Sequence, residues 1–211
     1  MDATLKSTPL TEKVVKKIFT EILNMDIKDG VIFELITVKI ITLSKKYQGF
    51  KLNILAQLEN NRTYLSIDLT TGDIITPKEI KYYYKSIYDD SKIPIMAYNL
   101  ESILAEKIHT IISNGVLNTR LKDYYDVYIL MNKKINEIDK SNLKQAIHNT
   151  FNMRKTNIDL NEFKMIIQEL ETDENIQKRW LVYQSKNTYA QNIEYEKVMN
   201  AIKELINVLI S

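Results

Sequence analysis

The apolar positions of this chain repeat first at helical spacing, then at strand spacing, then at helical spacing again to its end. Over 11–25, Val14, Val15, Ile18, Phe19 and Ile22 fall on one face and Glu12, Lys16 and Lys17 outside it, which predicts a helix. From Val31 to Leu69 the period shortens. Residues 32–43, 50–58 and 63–69 are rich in Ile, Val, Thr and Phe, with Gly49 and Asn60-Asn61 splitting them. They predict consecutive antiparallel strands, a meander more than a βαβ unit. Gly72-Asp73 is a turn signal, Pro77 closes the sheet half, and 93–97 predicts one more short strand. From Asn99 onward the pattern is helical, with breaks near Gly115, 138–141, 155–159, Thr172 and 187–191. The expectation is an α+β fold with an antiparallel-sheet lobe over 1–97 and a helical bundle over 98–211.

The stretch 98–130 sets charge among apolar positions. Leu100, Ile103, Leu104, Ile108, Ile111 and Ile112 form a stripe, and Lys107 falls inside it. After a short loop with Asn114, Gly115 and Asn118, Asp123 and Asp126 sit among Tyr124, Tyr125, Val127, Tyr128, Ile129 and Leu130. Buried lysine and aspartate are costly unless paired or engaged in chemistry. One lysine and two aspartates on adjoining helices therefore suggest a polar pocket. Plainer readings fit the same pattern. Lys107 can snorkel, Asp123 can favour a helix start, and the three can form a structural ion pair. Pattern alone leaves function and structure at even odds.

Composition narrows the classes. A chain of 211 residues suits one compact domain or two small lobes with a real core. With no cysteine, disulfides and thiolate metal sites are excluded. No run is long and apolar enough for a bilayer and no basic-then-apolar leader opens the chain, so a soluble cytoplasmic protein without a membrane partner is expected. The 29 basic and 27 acidic residues nearly cancel, so a nucleic-acid partner would need local clustering. Only 4 Gly and 3 Pro favour long regular elements.

The run Leu100-Glu101-Ser102-Ile103-Leu104-Ala105-Glu106-Lys107, followed by Arg120-Leu121-Lys122-Asp123-Tyr124-Tyr125-Asp126-Val127-Tyr128, resembles the AbiEii/AbiGii family of nucleotidyltransferase-like toxins. So does Leu65-Ser66-Ile67-Asp68-Leu69-Thr70-Thr71-Gly72-Asp73-Ile74-Ile75-Thr76-Pro77, similar to the family's strand-borne aspartate with its Gly-Asp turn and proline. The opening Met1-Asp2-Ala3-Thr4-Leu5 resembles the tail of its Asp-x-Asp metal motif. The three lie in the family's order and cover about two-thirds of the chain, at the coarse level of single-sequence reading. The resemblance implies a nucleotidyltransferase-like sheet lobe and transfer of a nucleoside monophosphate from a triphosphate to an acceptor hydroxyl. Magnesium, which prefers carboxylates and water, would be the cofactor.

In that reading Asp2 and Asp68 are metal ligands, with Asp68 also near the attacking hydroxyl. Lys107 meets the triphosphate, and Asp123 orients it or contacts the nucleotide. Arg120 and Lys122 stand at the helix entrance, within reach of phosphate, and Asp126 lies one turn on. The catalytic set is then Asp68, Lys107 and Asp123; the nucleotide-binding set is Lys107, Asp123, Arg120 and Asp126. Asp2, Asp68, Lys107 and Asp123 are expected to converge on one cleft. Implied partners are a nucleoside triphosphate, tRNA as acceptor and a cognate antitoxin protein. By itself, Asp68 reads more simply as a strand-end aspartate preparing the Gly72-Asp73 turn.

The family places a Gly-Ser or Gly-Gly-Ser/Thr turn and a first metal-binding aspartate ahead of the second. Here Met1 occupies the middle of Asp-x-Asp. The expectation is either a longer native protein or a truncated relative without that turn, with Asp2 fraying at a free terminus and magnesium-dependent transfer by this chain weak or absent.

Lesser features remain. Lys81-Tyr82-Tyr83-Tyr84-Lys85, with Tyr88 beyond, can stack single-stranded bases, but more simply reads as a connection packed on the core. His109 and His148 form no ligand pair or triad and read as surface or satisfied histidines. Trp180, Leu181 and Tyr183 read as helix core, and Arg154 as a late-helix cation able to reach the cleft. Three classes stay open: a nucleotidyltransferase-like toxin, a catalytically inactive triphosphate- or RNA-binding remnant, and a structural or partner-binding protein.

Overall fold

The computed structural model describes residues 1–6, 11–44, 47–87 and 89–210, so Tyr88 lies outside the described residues. The chain divides into two compact units, Met1–Asp73 and Ile74–Ser211.

The first unit contains β1 (Asp2–Leu5), α1 (Glu12–Leu23), β2 (Ile32–Ser44), β3 (Tyr47–Leu58) and β4 (Asn61–Thr71). Thr11 caps α1, its hydroxyl accepting from the amide of Val14 at 3.3 Å. The strands form one sheet in the order β1-β4-β3-β2. β2, β3 and β4 are the antiparallel meander that their short period predicts. β1 adds in parallel beside β4, with Asp2 opposite Asp68, so the sheet is mixed. The expected fraying of β1 is opposed by the N-terminal ammonium donating to Ser66 O at 3.1 Å and by Asp68 N donating to Met1 O at 2.9 Å. Gly49 does not split two strands. It lies inside β3, where a Cβ would stand 3.1 Å from Leu69 O, and glycine permits that approach.

Alternation along the strands sorts the sheet into two faces. Phe50, Leu52 and Leu69 are buried with Val15 of α1, and Leu35, Val38 and Phe19 pack against them. The registers put Asp2, Thr4, Asp68, Thr70, Lys51, Asn53, Lys39 and Thr37 on the opposite face.

The second unit opens with an antiparallel hairpin, β5 (Ile80–Lys85) and β6 (Lys92–Ala97). Six helices follow: α2 (Leu100–Asn114), α3 (Leu121–Lys134), α4 (Lys140–Met153), α5 (Leu160–Thr172), α6 (Glu174–Lys186) and α7 (Tyr195–Ile210). The breaks fall where the periodicity lapses, three of them as short 3-10 turns. Asn99, Asp139, Asp159 and Asp173 cap the starts of α2, α4, α5 and α6 by accepting backbone N–H groups. The core includes Leu104, Ile108, Tyr124, Val127, Phe151 and Trp180, whose indole donates to Ile193 O at 3.0 Å. Among the described residues no helix is long and apolar enough to cross a membrane.

The tyrosine run is β5 rather than a connection packed on the core. Tyr82, Tyr83 and Tyr84 are each about half exposed. The boundary between the units also falls upstream of the expected 97/98. Asn99 ties the segment that leads into the hairpin to the start of α2. Its amide nitrogen donates to Thr76 O at 2.7 Å and to Lys78 O at 2.9 Å, while its oxygen accepts from Ser102 N at 2.7 Å. Thr76 N donates to the Ser102 hydroxyl at 2.8 Å, and Asn149 donates to the Thr76 hydroxyl at 2.9 Å.

Asn99→Ala removes a helix cap and two amide-to-carbonyl bonds, so it should cost about 2–4 kcal/mol. Asn99→Ser keeps a capping acceptor without setting a charge against those carbonyls and should recover part of that loss. Denaturant unfolding of both variants measures the difference, and equal losses would show that the cap contributes nothing.

Candidate active site

Lys107 projects from α2 between the buried turns of Leu104 and Ile111. The chain then turns through Asn118, whose side-chain oxygen accepts from Arg120 N at 2.8 Å. Arg179 of α6 clamps the same turn, donating to Val116 O at 2.7 Å and to Asn118 O at 3.1 Å. That fixes the start of α3 and the position of Asp123 in its first turn, where a carboxylate is favoured by the helix dipole. Neither Asn118 nor Arg179 stands out in the sequence, since an Asn in a loop and an Arg on a helix are commonplace.

The structure brings Lys107, Asp123, Asp126 and Arg120 together. The Lys107 ammonium lies 3.2 Å from Asp123 Oδ1 and 2.6 Å from Asp126 Oδ2. Arg120 Nε stands 2.9 Å from Asp123 Oδ2, an ion pair in which that oxygen takes no hydrogen bond. Lys122 meets Asp126 Oδ2 at 3.0 Å. The Asp123 side chain is only 5% exposed and that of Lys107 17%, so this cluster is largely withdrawn from water. The bond to Asp126 raises Lys122 above the ordinary lysine pKa. Burial pushes the neighbouring Tyr124 phenol well up, so it stays protonated. Tyr125, Tyr183 and Tyr189 cluster on the same side; the rings of Tyr125 and Tyr189 are 4.8 Å apart, and the Tyr183 and Tyr189 hydroxyls 3.0 Å.

On the sheet, Asp2 and Asp68 sit side by side on neighbouring strands. Asp68 Oδ1 is buried and accepts no hydrogen bond, with Lys51 Nζ 3.3 Å away. The turn after β4 is held by Asp73 instead, whose Oδ2 accepts from the hydroxyls of Thr4 at 3.1 Å and Thr70 at 3.0 Å. Asp68 is therefore not the residue that makes the turn. Two adjacent carboxylates, one with an oxygen that accepts no hydrogen bond, suit magnesium, which takes one or two protein carboxylates and completes its shell with water and phosphate. Among the described residues no group of three His, Cys, Asp or Glu side chains gathers as a metal site. The pair would thus hold an ion only together with substrate or water oxygens.

Of the remaining residues, Arg154 is engaged with Glu106 of α2 at 2.9 Å. His148 is exposed. His109 is half-buried, its Nε2 2.9 Å from the Thr156 hydroxyl and 3.2 Å from that of Ser113, with its ring edge-on to Phe151.

A family model described as the nucleotidyl transferase AbiEii toxin of type IV toxin–antitoxin systems matches residues 1–202. The chain belongs to this family. No curated protein matches it. Two Helicobacter pylori crystal structures are similar to it, one assigned as a nucleotidyltransferase and the other named JHP933, each at 12% identity and a TM-score of 0.49. The alignments cover 99% of this chain and 76% and 74% of theirs. At that similarity the family match alone carries the assignment. As an AbiEii member, the protein is a nucleotidyltransferase-like toxin.

Two measurements bear on the polar groups of this AbiEii chain. Burial, helped by the Arg154 charge, lowers His109 from 6.5 to about 4. A depressed histidine binds its proton more readily unfolded than folded. Its contribution to stability is therefore complete above pH 6.5 and declines as pH falls toward 4. The melting temperature of His109→Asn should fall less steeply than that of the parent over this window; parallel curves would contradict the assignment.

Lys107→Met decides what the buried lysine is for. If Lys107 is only a structural partner, the change strands two aspartates and should cost about 3–5 kcal/mol with triphosphate affinity retained. A lysine that also meets phosphate should lose triphosphate affinity on top of that stability, because the pairing to Asp123 and Asp126 is broken either way. Both quantities are read on the same variant.

Proposed function

We propose that this chain transfers a nucleoside monophosphate from a triphosphate to a tRNA hydroxyl. The hydroxyl oxygen attacks the α-phosphorus, the bond to the bridging oxygen breaks, and pyrophosphate leaves. Asp2 and Asp68 would hold the divalent ion, and Asp68 would also take the proton of the attacking hydroxyl. A bound magnesium ion would supply charge neutralisation at the reacting phosphate. Lys107 meets the triphosphate as a compact cation on a flexible stem, and Asp123 aims it. Arg120 adds a second cation at the start of α3, and Asp126 holds Lys107 and Lys122 against that helix. The observation that carries this reading is the in-register pairing of Asp2 with Asp68, which sets two hard-oxygen donors side by side.

The acceptor reading draws support from the hairpin. Lys81, Tyr83 and Lys85 share one face of β5, opposite Met96, Pro94 and Lys92 of β6. The Lys81 ammonium lies 5.4 Å from the Tyr83 ring centroid. Exposed tyrosine among lysines stacks bases and meets phosphates in single-stranded nucleic acid. The family's membership of type IV toxin–antitoxin systems supports a cognate antitoxin as the protein partner.

A second reading is favoured by one observation. Lys107 is paired to two carboxylates at once, which suits a structural cluster or a binding-only protein as well as a phosphate site. Incubation with labelled triphosphates, magnesium and total tRNA separates them. Magnesium-dependent label on tRNA, reduced at least a hundredfold by Asp68→Asn, is the result expected for a transferase. Triphosphate binding without label under any condition would leave the binding-only reading in its place.

A further inference from the structure

The polar face of the sheet carries a row of charge. Asp2 of β1 lies opposite Asp68 of β4, Asp68 opposite Lys51 of β3, and Lys51 opposite Lys39 of β2. In-register partners on adjacent strands share a face, so these four side chains step across the sheet at roughly 4.8 Å per strand. Two carboxylates stand at one end and two ammonium groups at the other.

Two features of this row are unfavourable as they stand. Asp68 Oδ1 is itself covered and accepts no hydrogen bond, with Lys51 3.3 Å away, although the rest of the carboxylate is open to water. Lys51 and Lys39 are like charges on directly paired residues, which is destabilising in a strand pair. One ligand relieves both. A polyphosphate carrying a divalent cation presents positive charge to the carboxylates and negative charge to the lysines, in that order along the row.

We propose that Lys51 is a phosphate ligand beside the Asp2–Asp68 pair, held on Asp68 until that carboxylate turns to a divalent ion. Lys39 extends the anion-binding strip onto β2. This rests on Asp2 and Asp68 being metal ligands. The Lys51–Asp68 contact suits exchange because it is weak. The two side chains are 46% and 40% exposed, and pairs open to solvent to that degree are screened and easily broken. Lysine also keeps its charge at the end of four methylenes, so it can leave one oxygen for another without moving the strand. Binding is then ordered. The cation frees Lys51, and the freed lysine strengthens the hold on phosphate.

The test uses the full chain, Mn²⁺ followed by electron paramagnetic resonance, and inorganic tripolyphosphate as the anion. Lys51→Met should bind Mn²⁺ several-fold more tightly in the absence of phosphate, since a competing cation is gone. With Mn²⁺ saturating, it should bind tripolyphosphate about tenfold more weakly, and Lys51→Arg should restore that affinity. Lys39→Met should weaken tripolyphosphate without tightening Mn²⁺. If Lys51→Met leaves either affinity unchanged, the lysine is an ordinary solvated cation and the proposal falls. Should Lys51→Met not fold, Lys51→Gln reads the same two affinities. Asp68→Asn keeps the two levels apart. Mn²⁺ binding that survives it overturns the metal reading itself, whereas Mn²⁺ binding lost in Asp68→Asn with Lys51→Met unaltered overturns only the role of Lys51.

Discussion

The helical unit turns on the cost of taking Lys107 and Asp123 out of water. Neither charge is tolerable at that depth alone. The pairing of Lys107 with both Asp123 and Asp126 sets how α3 lies against α2. It also demands that the start of α3 be fixed, because a carboxylate in the first turn moves with every change in the loop before it. Asn118 and Arg179 meet that demand through backbone carbonyls and amides. The apolar packing of Leu104, Ile108, Tyr124 and Val127 then encloses the cluster and keeps its interactions strong.

The sheet meets a different constraint. Its apolar face is packed by α1 through Val15 and Phe19, while its other face carries Asp2, Thr4, Lys51, Asn53, Asp68 and Thr70. Such a face is free to carry chemistry because it does not hold the fold together. Threonines and Asn53 are satisfied within it: Thr4 bonds to Thr70, and Asn53 donates to the Thr37 hydroxyl at 2.8 Å. The charged row is the part left incompletely matched. That row runs across all four strands, from Asp2 of β1 to Lys39 of β2.

Much of the architecture was legible because burial imposes a period. The helix at 12–23, the three-stranded meander and the helix breaks all follow from spacing that one-sided packing requires. The Lys107–Asp123–Asp126 cluster was legible too, since charge inside an apolar stripe has few ways to be satisfied. β5 escaped notice for the converse reason. Lys-Tyr-Tyr-Tyr-Lys has no alternation, because neither face of that hairpin is buried deeply enough to select it. Gly49 misled as a breaker, since its role is to let β3 approach β4 rather than to end a strand.

Sequence by itself determined the α+β class, the meander, the succession of helices and the residue types able to hold phosphate or a hard cation, because these depend on local period and on side-chain chemistry. Only the tertiary structure decided what stands beside what. That β1 joins β4 in parallel follows from pairing across 66 residues, which no local pattern encodes. That Lys51 faces Asp68 depends on the strand register, where a slip of one residue would turn it to the opposite face. That Asn99 ties the segment ahead of the hairpin to the start of α2 depends on two carbonyls arriving within reach of its amide. Each is a distance between groups remote in the chain, and distance is what folding supplies.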